Sequence, residues 1–255
     1  LIEAIKFVYA STYFKKSKDY FKVSSNSIED EQMAVIIQEV VGKNHNNRFY
    51  PHVSGVARSY NFYAIGKSKP EQGTISLALG LGKTIVDGGI GWNYCPIYPK
   101  SVPPYGDPQN MLKFTQTTFW TVNMNPIVSY DPTKDTEYLT LCNLNDAEYD
   151  NTLKFTASTY LAAENKIVMG VSNEGPRVLN FARLLQLNEF RFNEMILKLI
   201  NVCEEAFNSP VEIEFASVLS KDEKKMKFGF LQVRPMVVSN EIVEIDNQEF
   251  GCSGN

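Results

Sequence analysis

Two alternating stretches near the end of the chain decide its fold: Val211-Glu212-Ile213-Glu214-Phe215-Ala216 and Phe228-Gly229-Phe230-Leu231-Gln232-Val233-Arg234-Pro235. Apolar and polar residues alternate along both stretches, which predicts two half-buried strands. The connector, residues 217–227, is mostly charged and has no apolar period, so we interpret it as a solvated hairpin loop.

If the two strands pair, one surface carries two carboxylates, an amide and a guanidinium. Glu212 and Glu214 share the polar face of the first strand, and Gln232 and Arg234 share that of the second. Carboxylate and amide oxygens suit Mg²⁺, and a planar guanidinium binds phosphate through two N–H groups. The pattern therefore indicates a metal–nucleotide site. The alternative is a solvated strand face on which the glutamates pair with Arg234.

The composition is that of an ordinary globular protein. The chain has 255 residues, 44% of them hydrophobic and 21% charged, with a net charge of −4. It is long enough to bury a sizeable core, and its acidic balance argues against a general nucleic-acid binder. No apolar run is long enough to span a membrane and no signal peptide is visible, so we expect a cytoplasmic protein without a membrane partner. The four scattered cysteines favour reduced thiols, and the two histidines are too few for a histidine metal cluster.

Periodicity predicts the remaining elements. We expect a helix over residues 1–24, strands over 33–37, 53–57 and 74–79, an irregular connection over 92–108, and a strand-rich subregion over 112–182. The clearest helix covers residues 188–207, with Asn188 as its N-cap and a stop at Asn208-Ser209-Pro210. Its apolar face is formed by Phe192, Ile196, Leu199, Ile200, Cys203 and Phe207. This order of elements predicts an α+β fold.

The strand over 74–79 runs into Gly80-Leu81-Gly82-Lys83-Thr84, which matches the second half of a phosphate-binding loop. The full motif requires a glycine five positions before Gly82, and Leu77 stands there. A glycine turn with backbone N–H groups near a phosphate is therefore the preferred interpretation. A P-loop ATPase centred on Lys83 is the alternative. We assign no site role to Arg58 or His52.

Six stretches resemble, in the same order, the nucleotide-binding domain of phosphoenolpyruvate synthase (pyruvate, water dikinase) and pyruvate, phosphate dikinase. They are Leu1-Ile2-Glu3-Ala4-Ile5-Lys6, Met33-Ala34-Val35-Ile36-Ile37-Gln38-Glu39-Val40-Val41, Ser54-Gly55-Val56-Ala57, Ala78-Leu79-Gly80-Leu81-Gly82, Val211-Glu212-Ile213-Glu214-Phe215 and Leu231-Gln232-Val233-Arg234-Pro235. The resemblance covers about residues 1–91 and 183–238. It implies an ATP-grasp-like α+β fold, here mainly the larger, C-terminal nucleotide-binding subdomain, with an antiparallel sheet and flanking helices. Residues 1–238 would form this domain, with a strand-rich elaboration at about 92–182, and residues 239–255 a linker toward a missing phosphohistidine domain.

The resemblance also implies the chemistry. Members of the family bind Mg-ATP and phosphorylate a histidine on a separate domain, which then phosphorylates pyruvate in a further, pyruvate-binding domain to give phosphoenolpyruvate. By position, Glu212 and Glu214 match the acidic pair of the metal site, and Gln232 and Arg234 match a Gln-x-Arg that contacts metal and phosphates. Arg234 is the expected catalytic residue. The stretch Gln38, Glu39 and Val40 matches the hinge strand beside the adenine, so the expected cofactors are ATP and Mg²⁺.

Two departures from the family shape the interpretation. Lys83 stands where family members usually have glutamate, and the upstream phosphate-gripping lysine and Ser-x-Arg-Ser-Ser run are not in this sequence. We therefore expect a fragment of a dikinase-type phosphotransferase that is inactive alone and binds Mg-ATP weakly. The alternative is a non-catalytic, degenerate ATP-grasp module for nucleotide sensing or protein interaction.

Overall fold

The computed structural model describes residues 1–15, 17–19, 32–101, 106–126, 131, 134, 136–171, 174–220 and 225–238. The strands in this part of the chain are β1 (Lys43–His45), β2 (Arg48–Tyr50), β3 (Val53–Arg58), β4 (Thr74–Ala78), β5 (Trp92–Tyr94), β6 (Thr118–Asn123), β7 (Leu139–Asn143), β8 (Ala157–Leu161), β9 (Lys166–Met169), β10 (Arg177–Leu179), β11 (Val211–Ser220) and β12 (Lys225–Pro235). The helices are α1 (Ile2–Ser11), α2 (Lys83–Val86), α3 (Pro108–Lys113), α4 (Leu144–Tyr149), α5 (Ala182–Gln186) and α6 (Phe192–Phe207). Short 3₁₀ turns occupy Pro70–Gln72, Leu153–Phe155 and Ala162–Glu164.

The strands form three antiparallel sheets. The largest has five strands in the order β12-β11-β3-β4-β5, the second has four in the order β1-β2-β6-β7, and the third has three in the order β10-β8-β9. The mixed α+β fold with antiparallel sheets and flanking helices is therefore confirmed. No helix in the described residues is long and apolar enough to cross a membrane.

One face of the five-stranded sheet forms the centre of the hydrophobic core. Ile75, Ile213 and Phe215 point from it toward α6, where the ring of Phe192 lies 5.8 Å from that of Phe215. Residues from the strand-rich region join the same cluster, among them the fully buried Phe119. Residues 112–182 are thus strand-rich, as predicted, and they share their core with the large sheet.

The predicted hairpin is confirmed, but its strands are longer than expected. β11 continues to Ser220 and β12 begins at Lys225, so the predicted loop over 217–227 was drawn too wide. The cause is that Ser217 and Leu219 continue the two-residue period of the core-facing side, and both are buried. The strands predicted over 53–57 and 74–79 are confirmed as β3 and β4.

The strand predicted over 33–37 is wrong. These residues pair with no strand in the described part of the chain, and Ile36 and Ile37 are 87% and 66% exposed. An apolar run fits a buried strand only where neighbouring strands supply hydrogen bonds and cover both faces. The stretch over 92–108 was predicted to be irregular, but its first residues form a strand, β5, at the edge of the large sheet.

Both predicted helices differ at their ends. The first ends as α1 at Ser11, with further helical residues at 15 and 17–19, and the rest of the predicted range lies outside the described residues. α6 begins at Phe192. Asn188 and Arg191 adopt left-handed backbone conformations (φ 53° and 50°), which are incompatible with a right-handed α-helix, so the helix cannot start earlier. Asn188 is therefore not the N-cap; its side-chain amide donates to Glu194.

The end of α6 agrees with the prediction, since Asn208 terminates the helix in the left-handed conformation. Most of its predicted apolar face is buried or packed on the core, but Phe207 in the last turn remains 45% exposed. The predicted linker over 239–255 lies outside the described residues.

Candidate functional site

The face of the five-stranded sheet opposite the core carries a row of charged side chains. The register pairs Glu212 on β11 with Arg234 on β12 and with Arg58 on β3. Cross-strand partners point to the same face, so the three side chains lie side by side. In the next row Glu214 pairs with Gln232 and with Val56. The four polar residues predicted from the alternation therefore share one face.

A β-bulge in β12 makes this arrangement possible. Phe215 pairs with Phe230 and Glu214 pairs with Gln232, which leaves Leu231 as an extra residue without a partner. Before the bulge, Phe228 and Phe230 lie opposite residues of the core-facing side of β11. After it, Gln232 and Arg234 lie opposite the glutamates. The extra residue thus changes the face to which the even-numbered residues of β12 belong.

Glu212 is the centre of the row. It is only 6% exposed, and its two carboxylate oxygens accept hydrogen bonds from different arginines. Arg58 Nε donates to Oε2 at 2.5 Å, and Arg234 donates to Oε1 from Nε at 2.8 Å and from Nη2. A buried carboxylate requires such compensation, and here two guanidinium groups provide it. The pairing of Arg234 with a glutamate, weighed as an alternative to a ligand site, is thus present at Glu212.

Glu214 has a different environment. It is half-buried, and it makes no hydrogen bond or ion pair with another described residue. Its neighbour across the strand is Gln232, whose amide oxygen is a hard ligand like the carboxylate. Mg²⁺ in nucleotide sites commonly takes one or two carboxylates and completes its shell with water and phosphate oxygens. The donor set of Glu214 and Gln232 fits that requirement, whereas both oxygens of Glu212 are already engaged.

The hinge stretch, defined here as residues 38–41, runs beside the outer edge of β12. Gln38 Nε2 donates to the backbone oxygens of Leu231 (3.1 Å) and Phe230 (3.4 Å). Glu39 accepts a hydrogen bond from Lys227 Nζ at 2.7 Å, and this bond lowers the pKa of Glu39. Val40 is exposed, and Val41 packs so tightly on Gly229 that a β-carbon there would overlap it. The hinge stretch thus lies at the end of the charged row.

A cleft of about 660 Å³ opens on the same polar face, over β3, β4 and β5. Arg58 lies at its border with the charged row, and its floor includes Thr74, Ser76 and Asn93. Arg58 was not among the site residues predicted from the sequence. The available signal was its position directly after Ser54-Gly55-Val56-Ala57, but that segment shows no polar–apolar alternation from which a face could be deduced.

Lys83 lies away from the charged row. Its Nζ pairs with Asp87 at 2.8 Å and lies 5.9 Å from the centre of the Trp120 ring. It follows the end of β4 that is remote from Thr74, the partner of Arg58. The helix that it opens, Lys83–Val86, has a single turn. This geometry does not favour the P-loop alternative.

His52 is buried, and His45 is half-buried, with its ring 6.2 Å from that of His52. His52 is 3% exposed, its Nδ1 accepts a hydrogen bond from the Leu219 N–H at 2.9 Å, and its ring stacks on Phe155. Burial lowers the pKa of His52 to about 3. Among the described residues no group of three or more His, Cys, Asp or Glu could hold a metal ion, and Cys95, Cys142 and Cys203 are free thiols.

The sequence matches the model of a known protein family. The family model for the pyruvate phosphate dikinase AMP/ATP-binding domain matches residues 1–250, which include the region 92–182. No curated protein matches the chain.

Proposed function

This chain belongs to the pyruvate phosphate dikinase AMP/ATP-binding domain family, and we propose that it holds Mg-ATP on the polar face of its five-stranded sheet for phosphoryl transfer to a histidine. Membership makes it an ATP-binding domain of a dikinase-type kinase. In the proposal, the histidine lies on a separate domain of the full-length protein. The phosphohistidine then phosphorylates pyruvate to phosphoenolpyruvate.

The observation that carries the proposal is the pair of arginines clamped by one buried glutamate on an open sheet face. Phosphoryl transfer depends on positioned positive charge near the phosphate oxygens more than on covalent chemistry. A guanidinium has five N–H groups; Glu212 engages one of Arg58 and two of Arg234. The remaining N–H groups make no bond to described residues, so they are available to phosphates. Arg234 is the catalytic residue of the proposal, and Glu212 positions it.

The metal of the proposal is held by Glu214 and Gln232. Bound there, Mg²⁺ would neutralise charge on the phosphate oxygens. Glu214 has no competing partner among the described residues, which supports this assignment. Glu212, predicted with Glu214 as a metal ligand, is assigned instead to the two arginines that share its carboxylate.

The hinge stretch supplies the base end of the nucleotide site. Neighbouring strands lie about 4.8 Å apart, so Arg58 on β3 lies about 10 Å from β12 along the sheet. That separation suits a nucleotide whose base rests against Gln38, Glu39 and Val40 while its phosphates reach the arginines. The exposed side chain of Val40 offers apolar surface for an adenine ring.

The test uses the full-length protein and ATP labelled in its β- and γ-phosphates. Glu214→Gln removes the free carboxylate with little change in shape, and we expect it to abolish ATP-dependent histidine phosphorylation while the free energy of unfolding changes by less than about 0.5 kcal/mol. Glu205→Gln, an exposed position on α6, is the matched control and retains activity. Full phosphorylation by Glu214→Gln would remove the metal assignment.

One observation favours a second candidate, a non-catalytic module that senses nucleotide or binds a protein. Lys83 replaces the usual glutamate after the glycine turn, and it pairs internally with Asp87. Mg-ATP binding by the intact protein without label on any histidine would support this candidate. Transfer of label would exclude it.

A further inference from the structure

We infer that an exposed aromatic and basic surface binds the acidic segment of the same chain, defined here as residues 239–250. The aromatic surface, as it is called below, is formed by the loop between β3 and β4 together with residues that follow β5: Phe62, Tyr63, Ile65, Lys67, Lys69, Ile97 and Lys100. The inference goes beyond the proposed function, because it concerns a contact within the chain that requires no nucleotide.

Large apolar side chains of the aromatic surface are exposed to solvent. Four of them are between 47% and 85% exposed: Phe62, Tyr63, Ile65 and Ile97. The two segments that carry them are neighbours, because Lys67 Nζ lies 4.8 Å from the centre of the Tyr98 ring and both segments line the same cleft. A group of exposed apolar side chains of this kind commonly marks a site of interaction.

The charge of the aromatic surface favours an acidic partner. Residues 59–70 and 95–101 contain three lysines and no Asp or Glu, although the whole chain has a net charge of −4. The next carboxylate along the loop is that of Glu71, in the 3₁₀ turn. All three lysines are exposed, and they form no ion pair with another described residue: Lys67, Lys69 and Lys100. Local positive charge of this kind attracts an acidic segment.

The acidic segment has the complementary composition. Its twelve residues include four carboxylates, four large apolar side chains and no Lys, Arg or His: Glu241, Glu244, Asp246 and Glu249, with Ile242, Val243, Ile245 and Phe250. The segment lies outside the described residues, but its sequence matches both properties of the aromatic surface. Its apolar side chains can pack on the exposed rings while its carboxylates meet the lysines.

The topology of the large sheet brings the two partners to the same edge. β3 and β12 both pair antiparallel with β11, and β3 and β5 both pair antiparallel with β4, so β3, β5 and β12 run in one direction. Their ends therefore lie at one edge of the sheet. At that edge Val211 pairs with Pro235, and its backbone oxygen accepts a hydrogen bond from the Ser59 N–H at 3.0 Å.

The distances favour docking within one chain. Pro235 and Ser59 are separated by two strand spacings, or about 10 Å, and β5 lies two spacings farther, at about 19 Å from β12. Twelve extended residues span up to about 40 Å, so the acidic segment can cross the whole aromatic surface. A short tether also gives an effective concentration in the millimolar range. An anionic lipid surface would match the charge, but it has no such tether.

Lysine labelling of the full-length protein tests the inference. Acetylation by N-acetoxysuccinimide is followed at Lys67 and Lys69 by mass spectrometry, with the exposed Lys198 on α6 as the reference in the same sample. Glu241→Gln/Glu244→Gln should raise the rates at Lys67 and Lys69 at least about threefold relative to Lys198, because it releases the acidic segment. Glu174→Gln/Glu205→Gln removes two exposed carboxylates elsewhere and should leave both rates unchanged.

The outcomes distinguish the possible occupants. Equal rates in the wild type and in Glu241→Gln/Glu244→Gln would overturn the inference, and protection by anionic vesicles in that case would assign the surface to a lipid bilayer. Rates that rise when the wild type is diluted would show that a second copy supplies the contact, which would also overturn docking within one chain. Neither nucleotide binding nor histidine phosphorylation enters this measurement, so its failure and the failure of the proposed function are distinguishable.

Two native thiols give a second readout. Cys95 lines the cleft beside the aromatic surface, and Cys252 follows the acidic segment by two residues, whereas Cys142 and Cys203 are buried. A short bis-maleimide should join Cys95 to Cys252 in the wild type and in Lys198→Glu, as detected by mass spectrometry of the linked peptides.

Reversal of charge should control the yield of this cross-link. Lys67→Glu/Lys69→Glu should lower the yield at least about threefold, and adding Glu241→Lys/Glu244→Lys to that variant should restore it, because opposite charges again face each other. An equal yield in the wild type and in Lys67→Glu/Lys69→Glu, or a loss that the second pair of substitutions does not restore, would contradict the contact.

Discussion

Glu212 and Glu214 are identical residues on one strand face, but their different neighbours give them different roles. Glu212 lies between Arg58 and Arg234, so its charge is used inside the protein. Glu214 lies beside Val56 and Gln232, neither of which has a charge to offer it. The first glutamate therefore contributes to stability and to the position of the arginines, and the second is available to a ligand.

Substitution separates these roles. Glu212→Gln leaves two guanidinium groups sharing one neutral amide oxygen, and it should lower the free energy of unfolding by about 1–3 kcal/mol. Glu214→Gln should change it by less than about 0.5 kcal/mol. Urea denaturation of both variants measures the difference. Equal losses in the two variants would show that the Arg58–Glu212–Arg234 row does not stabilise the fold.

His52 makes stability depend on pH. Its pKa is lowered to about 3 in the folded protein, whereas an unfolded histidine titrates near 6.5. The unfolded chain therefore binds the proton more readily, and stability present above about pH 6.5 is lost as the pH falls toward 3. Between pH 7 and pH 5 this group should cost about 2 kcal/mol.

The variant His52→Asn isolates that effect, because an amide oxygen can accept the Leu219 N–H but does not titrate. The pH dependence of unfolding by urea should be shallower in the variant by the stated amount. The comparison is needed because burial also lowers the pKa of His45, whose ring lies 6.2 Å from that of His52. Parallel pH profiles would contradict the prediction.

Sequence alternation correctly placed Glu212 with Glu214 and Gln232 with Arg234, because a strand period of two is a local property. That the two pairs share one face depends on the register, which the bulge at Leu231 sets. Alternation could not identify Arg58. That residue ends a strand whose neighbours are small or apolar on both faces, and only the register with β11 brings it to Glu212. The sequence also could not predict that Glu214 lacks a charged partner among the described residues, since this depends on which residues lie opposite it across the strands.

At the scale of elements, strands with a local sequence signal were predictable and those without one were not. β3, β4 and the hairpin were predictable because apolar side chains mark the face that each buries in the core. Residues 33–37 have the same apolar composition, yet they form no ladder in the described chain. The residues that follow contact the sheet through the side chains of Gln38 and Glu39 and through the tight packing of Val41 on Gly229. None of these interactions has a periodic signature.

The pairing of β3 with β11 depends on a glycine. A methyl group at Gly55 would overlap the Phe215 ring, which is held between Phe192 (5.8 Å) and Phe228 (5.4 Å). Gly55→Ala should therefore destabilise the protein by about 1–3 kcal/mol through overpacking. Gly82→Ala is the control, because a methyl group at Gly82 would lie 3.8 Å from its nearest neighbour, Ser54 Cβ, which is an ordinary van der Waals contact. Thermal unfolding that shifts equally in both variants would contradict the steric argument.

At the scale of the whole molecule, one core joins the large sheet to residues 92–182. Phe119 on β6 is fully buried, lies 4.9 Å from the Tyr50 ring, and belongs to the cluster that contains Ile213 and Phe215. The sequence suggested an elaboration because this stretch carries no resemblance to the nucleotide site. That interpretation stays a prediction, and the packing adds that residues of this stretch contribute to the core beneath the large sheet.

Phe119→Ala tests this shared core. The substitution should cost about 3–5 kcal/mol and should weaken the whole fold, so circular dichroism and the fluorescence of Trp92 on β5 and Trp120 on β6 should report one transition. Leu187→Ala, at an exposed position, should leave the transition in place. Two separate transitions in Phe119→Ala would mean that residues 92–182 fold independently.

The bulge at Leu231 has a consequence for how this chain can evolve. An in-frame loss of that single codon would restore regular pairing and leave Gln232 opposite Glu214 and Arg234 opposite Glu212, so both would stay on the ligand face. Loss of the Val233 codon is an equally small genetic change, but behind the bulge it would bring Arg234 opposite Ile213, on the buried side of the sheet. Deletion of the Val233 codon should therefore be purged by selection far more strictly than deletion of the Leu231 codon.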